Sequence, residues 1–194
     1  MATEDKAKKP GVALTMLNAK QSQKKANKAR EGAIAMRQLL WPKVNESQLW
    51  LLDDRTRKGF AQIPRTMPQL MNIISDVSKR IGGKSVPAGR TYLVLWCRVF
   101  SEGFVKIENE AEAAFEAGYA GERNVTTWRE HIKVLKELGF IDYKEGSSGP
   151  TQFVLLFNPY AVIKALFEKG WLPEHQYAAF FQRAIDIGAG IELQ

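Results

Sequence analysis

The sequence predicts a mainly α-helical protein with a small β-hairpin, an α+β fold. Several segments repeat apolar residues every three or four positions, which is typical of amphipathic helices. Two short runs, 140–145 and 151–157, surround a Gly/Ser-rich loop, as expected for a β-hairpin. Of the 194 residues, 45% are hydrophobic, which is the proportion of an ordinary globular protein.

The first predicted segment, residues 1–43, is a basic arm, partly disordered or helical. It holds ten lysines and arginines against three acidic residues, so it carries the whole net charge of +7. We expect residues 1–30 to be disordered in isolation. The residues from about Gln21 to Leu40 are good helix formers, so a basic helix could form there, either in the free protein or only on binding. A basic arm on a neutral body suits a polyanion partner, with the arm as a non-specific electrostatic contact; a solvated tail is the alternative. The arm's candidate DNA contacts are Lys20, Lys24, Lys25, Lys28 and Arg30.

Residues 44–87 are predicted to form a helical N-terminal extension. A short strand or helical turn is expected at 48–52, a charged turn at 53–59 and a second short strand at 60–63. Apolar spacing predicts a helix over 68–81, ended by Gly82-Gly83. The stretch Gly82-Gly-Lys-Ser85 does not match a nucleotide-binding P-loop, because position 78 is Ser and no helix opens after Ser85.

Residues 88–157 are predicted to alternate helices and strands. The segment 91–102 is apolar on most sides, which predicts a central helix with Cys97 buried, and 104–107 alternates like a strand. Asn109 and Glu112 form a capping box for a helix over 110–117 that buries Ala111, Ala114 and Phe115. After the glycine-marked turn 118–121, Asn124 is predicted to cap a helix over 125–138 that leads into the hairpin.

Residues 158–194 are predicted to form two C-terminal helices, one from Asn158-Pro159 to Lys169 and one from Pro173 to near Gly188. These helices either pack on the core or form a homodimer interface. Their aromatic residues are Phe167, Trp171, Tyr177, Phe180 and Phe181.

The order of elements over 88–157 is that of a winged helix-turn-helix. The segment 124–141 begins Asn-Val-Thr-Thr and ends Leu135-Lys-Glu-Leu-Gly-Phe-Ile141. It resembles the recognition helix and first wing strand of bacterial winged-helix regulators, which often end in Leu-x-x-Leu-Gly-Leu-Ile. The resemblance covers about a third of the chain and implies a DNA-binding module whose second helix enters the major groove. The flanking regions look like parts of a plasmid or mobile-element regulator or replication accessory protein.

Helical geometry divides the residues of the predicted recognition helix between two sides. Val125, Trp128, Ile132 and Leu135 fall on one stripe, with Leu138 at its edge, and should face the core. Arginine and lysine on the other side could donate to guanine or phosphate, threonine could contact phosphate or a thymine methyl, and glutamate could accept from cytosine. The candidate contacts on and beside this helix are Arg123, Asn124, Thr126, Thr127, Arg129, Glu130, Lys133 and Lys136. Lys144, Ser147 and Ser148 lie at the hairpin tip, where a wing contacts DNA or an ordinary turn is formed.

These patterns predict sequence-dependent binding to double-stranded DNA in transcription, replication or plasmid maintenance. The alternative is a protein–protein adaptor, with the arm as its docking segment. We expect no enzyme activity, cofactor or metal: His131 is interpreted as a packing residue and His175 as a surface residue, and no catalytic motif is present. A single cysteine and the lack of a signal sequence or membrane-length apolar run predict a cytoplasmic, nucleoid-associated protein.

Overall fold

A computed structural model describes residues 19–51, 58–99 and 102–193, without the side chains of residues 19–23, 25 and 26. The chain divides into two units, residues 1–42 and 43–194. In the first unit, helix α1 spans Ala19–Leu40. Helix α1 agrees with the helix predicted from about Gln21 to Leu40 and begins two residues earlier, because the Ala-, Lys- and Gln-rich sequence continues it backward to Ala19. The predictions for residues 1–18 and for the turn at 53–57 lie outside the described residues.

The second unit is a mixture of helices and one small antiparallel sheet, which confirms the α+β prediction. The sheet has the order β1-β3-β2, so the third strand lies between the other two. The elements are a 3-10 helix Glu46–Gln48, α2 Met67–Gly82, α3 Gly89–Arg98, β1 Phe104–Lys106, α4 Glu110–Glu116, α5 Asn124–Glu137, β2 Ile141–Gly146, β3 Gly149–Leu156, α6 Pro159–Glu168, α7 Glu174–Asp186 and a 3-10 helix Gly190–Leu193.

The core of this unit is built around α3 and α5. Tyr92 of α3, Trp128 of α5 and Phe140, just before β2, are fully buried, and the Tyr92 and Phe140 rings lie 5.2 Å apart. Helix α2 packs closely on α3 at Gly89, where a Cβ atom would come within 2.6 Å of Cβ of Met71. The predicted extension 44–87 therefore contributes α2 to the same packed unit.

The C-terminal helices bury most of their apolar side chains against their own chain. Leu166 of α6 and Phe180 of α7 are buried in the core. The rings of Phe167 and Tyr177 stack with centroids 4.1 Å apart and planes 5° from parallel. Core packing thus accounts for many of the aromatic residues counted above, and the homodimer stays a prediction.

Two predicted elements of the N-terminal half are wrong. Residues 60–63 form no strand, because Pro64 and the turn into α2 follow directly and no partner strand lies beside them among the described residues. Helix α3 ends at Arg98, four residues earlier than predicted, because Val99 is already extended and Glu102 has a positive φ of 67°. Cys97 is exposed, since α3 turns Thr91, Tyr92 and Leu95 inward.

Helix α4 has the predicted bounds within one residue but a different buried side. Asn109 caps it as predicted, with Oδ1 accepting from the backbone N–H groups of Ala111 and Glu112. Ala113, Ala114 and Ala117 are buried, whereas Ala111 and Phe115 are exposed, Phe115 by 74%. The carboxylate of Glu112 accepts from Arg98 of α3 at 3.0 Å, so it is directed toward α3 and not to the cap.

Candidate nucleic-acid interface

Helix α5 is fixed to the core by its apolar side. Trp128, Ile132 and Leu135 are fully buried and Leu138 almost so, which confirms the predicted stripe, and Val125 at its start is half-buried. The Trp128 indole N–H donates to Oγ1 of Thr151 on β3 at 3.2 Å. The rotation of α5 about its axis is therefore set by one large ring that is anchored at its polar atom.

The opposite side of α5 is open to solvent. Arg123, Thr126, Glu130 and Lys133 are exposed, and Thr127 is half-buried. Lys133 lies 3.9 Å from Glu137, a loose pair one turn apart on the same helix. Such a surface pair holds its side chains weakly, so Lys133 remains available to another anion.

Arg129 of α5 is engaged within the protein. Its guanidinium donates to Oε2 of Glu110 on α4, and Oε1 of that carboxylate accepts from Thr151. The Glu110 side chain is only 6% exposed. This ion pair ties α4, α5 and β3 together, and we assign Arg129 to positioning α5.

Lys136 is engaged in a similar way near the end of α5. Its Nζ lies 2.6 Å from Oδ1 of Asp142 on β2 and 4.8 Å from the centre of the Tyr143 ring. The hydrogen bond from Lys136 is the main cause that lowers the pKa of Asp142, and the same bond raises the pKa of Lys136. Lys136 therefore links α5 to the hairpin.

The start of α5 differs from the prediction. Arg123 is the N-cap and makes no side-chain cap hydrogen bond. Asn124 is the first helical residue, and its Oδ1 accepts from the next backbone N–H, that of Val125, at 2.7 Å. The prediction of Asn124 as the cap is wrong by one residue, because the turn closes on Gly121, whose carbonyl accepts from the Asn124 N–H.

The hairpin between β2 and β3 ends in the two residues Ser147 and Ser148. Gly146 pairs with Gly149 across the strands. The Ser148 backbone N–H donates to Oε1 of Gln152, whose amide group donates back to the Ser148 hydroxyl at 3.1 Å. Lys144 is exposed on the hairpin and lies in no ion pair with a described residue. The tip is thus a short, internally hydrogen-bonded turn with one cation beside it.

A cavity of about 320 Å³ lies between the α2–α3 loop and the N-terminal half of α5. The sequence analysis did not predict that the α2–α3 loop contributes to a site. The cation and hydroxyl of Lys84-Ser85 were the available indication, but they were interpreted only as a possible nucleotide-binding loop. The lining residues are Lys84, Ser85, Val86, Pro87, Arg123, Thr126, Thr127, Glu130 and His131.

His131 forms the floor of this cavity and is 5% exposed, as its interpretation as a packing residue requires. Its Nδ1 lies 2.7 Å from Oη of Tyr119, which in turn lies 2.8 Å from Oγ1 of Thr91. Burial lowers the pKa of His131, and the nearby Glu130 opposes that shift. Burial therefore favours the neutral form of the imidazole.

Helix α1 carries the described part of the basic arm. Lys24, Lys28 and Arg30 have exposed side chains, with Lys24 and Lys28 one turn apart. Lys20 and Lys25 also belong to α1, but their side chains lie outside the described residues. Helix α1 therefore presents cations along its length.

Comparison of the chain with protein-family models, with curated proteins and with solved structures gave no match. Within the described ranges, no group of three or more His, Cys, Asp or Glu side chains is arranged to hold a metal ion. None of the described helices is both long and apolar enough to cross a membrane. The function is therefore inferred from the geometry of the second unit and the charge of the first.

Proposed function

We propose that residues 88–157 form a winged helix-turn-helix that binds double-stranded DNA. In that architecture a helix, a strand, two helices and a hairpin follow one another, and the second helix of the pair lies in the major groove. Here α3, β1, α4, α5, β2 and β3 have this order, and the turn between α4 and α5 is closed by Gly118 and Gly121, both with positive φ.

The observation that carries the proposal is the division of α5 into two sides. Trp128 and Ile132 lock one side into the core, while Arg123, Thr126 and Lys133 stand on the exposed side. A helix fixed in this way can present side chains to base edges without a change of its own packing. Arg129 and Lys136 are already held in ion pairs with Glu110 and Asp142. We therefore assign the base contacts to the three exposed residues, together with Thr127 and Glu130.

The basic arm would supply affinity that does not depend on sequence. Contacts to phosphate set strength and salt dependence, whereas contacts to base edges set selectivity. The three glutamates of α4 are all ion-paired: Arg98 lies 3.0 and 2.7 Å from Glu112 and Glu116, and Arg129 lies 2.5 Å from Glu110. These two arginines offset two of the three negative charges, so α4 keeps one net negative charge and opposes DNA only weakly. The DNA process served would be transcription, replication or plasmid maintenance in a cytoplasmic, nucleoid-associated protein.

The test is selection of bound fragments from random duplex DNA with the full-length protein at physiological salt. We expect an enriched sequence, and we expect Arg123→Ala and Lys133→Ala each to cost roughly 1–3 kcal/mol of discrimination at that sequence. Arg80→Ala on the exposed side of α2 is the matched control and should leave the preference unchanged. The proposal fails if wild type and both variants bind every duplex with equal affinity.

A protein–protein adaptor is the second candidate, and the outer face of the sheet favours it. Phe104 pairs with Leu155 across β1 and β3, both are more than 40% exposed, and the Phe104 ring stacks on Phe153 at 6.1 Å. Exposed apolar clusters of this kind often mark protein contacts. A selection that enriches no duplex sequence and binding that hardly changes with salt would favour the adaptor.

A further inference from the structure

We infer that the cavity between the α2–α3 loop and α5 binds a phosphoryl group. The inference rests in part on the proposed function, under which the ligand is a backbone phosphate of the bound duplex. The inference goes beyond the proposed function because it assigns a ligand contact to the loop Lys84–Pro87, which lies outside the predicted recognition helix and hairpin.

The charges that line the cavity favour an anion. Lys84 from the loop and Arg123 from the start of α5 both contribute cations, and neither lies within 4 Å of a carboxylate among the described residues. Glu130 is the one lining residue with a negative charge, so the lining carries one net positive charge. Two unpaired cations from different elements that face one cavity are suited to a single anion shared between them.

The uncharged polar groups of the cavity are donors suited to phosphate oxygens. Thr126 and Thr127 contribute side chains that make no hydrogen bond to the described part of the chain. The first turn of α5 has no acidic residue, and its N-cap Arg123 makes no side-chain cap hydrogen bond. Asn124 Oδ1 satisfies the Val125 N–H, but no carboxylate of the turn offsets the positive end of the helix dipole, which therefore favours an anion. Ser85 is bound to Ser75 at 2.8 Å, which fixes the loop beside α2 and leaves Lys84 to reach the ligand.

At the floor of the cavity lies the buried imidazole of His131, one of whose two ring nitrogens has no hydrogen-bond partner among the described residues. Nδ1 of His131 faces Tyr119, and the structure gives Nε2 no hydrogen-bond partner among the described residues. When Thr91 donates to Tyr119 and Tyr119 donates to Nδ1, the neutral ring carries its proton on Nε2. An imidazole N–H at the base of the cavity is then a further donor for an anion.

The position of the cavity also fits a duplex that lies across α5. A helix in the major groove has the DNA backbone on either side, and groups next to its N-terminal half meet phosphates. Lys84 lies on the loop beside that half, so a phosphate held there would fix how deeply α5 enters the groove and where Lys133, outside the cavity lining, meets the base edges.

The experiment uses the full-length protein and two substitutions of opposite sign. Lys84→Gln should weaken binding to all duplexes by roughly fivefold and lower the slope of log affinity against log salt by about 1. Glu130→Gln should strengthen binding to non-selected duplexes, because it removes the only negative charge of the lining. Lys79→Gln, on the last turn of α2 outside the lining, is the control and should change neither quantity.

A second measurement separates the two sources of phosphate. Inorganic phosphate is added to the protein without DNA, at constant ionic strength, while the amide signals of Ser85 and Thr127 and the His131 ring signal are followed by NMR. Saturable shifts that Lys84→Gln abolishes support the phosphoryl site, and they do so even if duplex selection fails and the proposed function with it. Duplex binding that depends on Lys84 without such shifts supports the backbone phosphate as the ligand. Absence of both effects overturns the inference.

Discussion

Arg129 and Glu110 form an ion pair in which a single carboxylate oxygen, Oε2, accepts from both Nε and Nη2 of the guanidinium, at 2.9 and 2.5 Å. The two partners differ in exposure: the arginine side chain is 48% exposed and the glutamate side chain 6%. Removing the arginine should therefore destabilise the protein more than removing the glutamate. Arg129 can be solvated by water when it is left alone, whereas the buried carboxylate of Glu110 cannot.

We predict that Arg129→Met destabilises the protein more than Glu110→Gln. The methionine variant leaves a buried carboxylate without its counter-ion, which costs about 3 kcal/mol. The glutamine variant keeps a hydrogen-bonding group near Thr151 and leaves an arginine that water can solvate, at a cost of about 1 kcal/mol. Urea unfolding of both variants measures the two losses. Equal losses would show that the buried position of Glu110 does not govern the energetics of the pair.

The pH dependence of stability should contain a contribution from His131. Burial lowers the pKa of this ring below the ordinary value of 6.5, so the unfolded chain binds a proton more readily than the native chain. The contribution of the neutral His131 ring to the free energy of unfolding is therefore complete above pH 6.5. It is lost as the pH falls from 6.5 through the lowered native pKa. Melting temperatures measured from pH 7.5 to pH 5 should stay level down to about pH 6.5 and decline below it.

Only two histidines are present, which makes a clean control possible. His175 is exposed at the start of α7, so His175→Gln should keep the decline in full and leave one imidazole to titrate by NMR. His131→Gln should flatten the curve between pH 6.5 and the lowered pKa. A ring signal that titrates at or above 6.5 in the His175→Gln protein would contradict the role assigned to burial.

The close approach of α2 and α3 makes Gly89 intolerant of a side chain. A Cβ atom there would lie 2.6 Å from Cβ and 2.8 Å from Cα of Met71, and the second of these is backbone that cannot rotate away. We expect Gly89→Ala to cost about 2 kcal/mol through overpacking. Gly82→Ala, at the end of α2 with nothing within 4 Å of its Cβ, should be neutral or stabilise by up to about 1 kcal/mol. Chemical unfolding compares the two variants, and similar stabilities would refute the packing argument.

The sequence predicted where helices and strands form more reliably than which side of a short helix is buried. For α5, four turns with one Trp and three branched residues on a single stripe left one possible orientation, and Trp128 and Ile132 are buried as predicted. Helix α4 has only seven residues and several alanines, so its periodicity did not determine its rotation. The ion pairs of Arg98 with Glu112 and Glu116 lie on one side of α4, and Phe115 is left in solvent.

The candidate site was predictable on α5 but not around it. Exposure of Arg123 and Lys133 followed from helical spacing, whereas the pairing of Arg129 with Glu110 depends on a contact between two helices that no local pattern encodes. The same holds for Lys84. Its neighbours along the chain gave no reason to place it on the same cavity as Arg123, since that placement depends on how α2 and α3 pack.

The basic arm should dominate the salt dependence of DNA binding. Residues 1–42 contain nine lysines and arginines, and each phosphate that a cation neutralises adds about 0.9 to the slope of log affinity against log salt. Deletion of these residues should therefore weaken binding to every duplex and reduce the slope by up to about 8, while the preferred sequence stays the same. Filter binding or fluorescence anisotropy at several salt concentrations measures both quantities.

A charge-neutral variant separates the cations of the arm from its helix. Replacing Lys20, Lys24, Lys25 and Lys28 by glutamine keeps residues of similar helix propensity in α1, so circular dichroism should show the helix retained. The slope should then fall by about 3–4, in proportion to the charges removed. If the four-glutamine protein keeps the wild-type slope although the deletion lowers it, the arm acts through its apolar residues, such as the exposed Leu39 and Trp41, and the electrostatic role is wrong. If neither change alters the slope, the arm is a solvated tail and the affinity resides in residues 43–194.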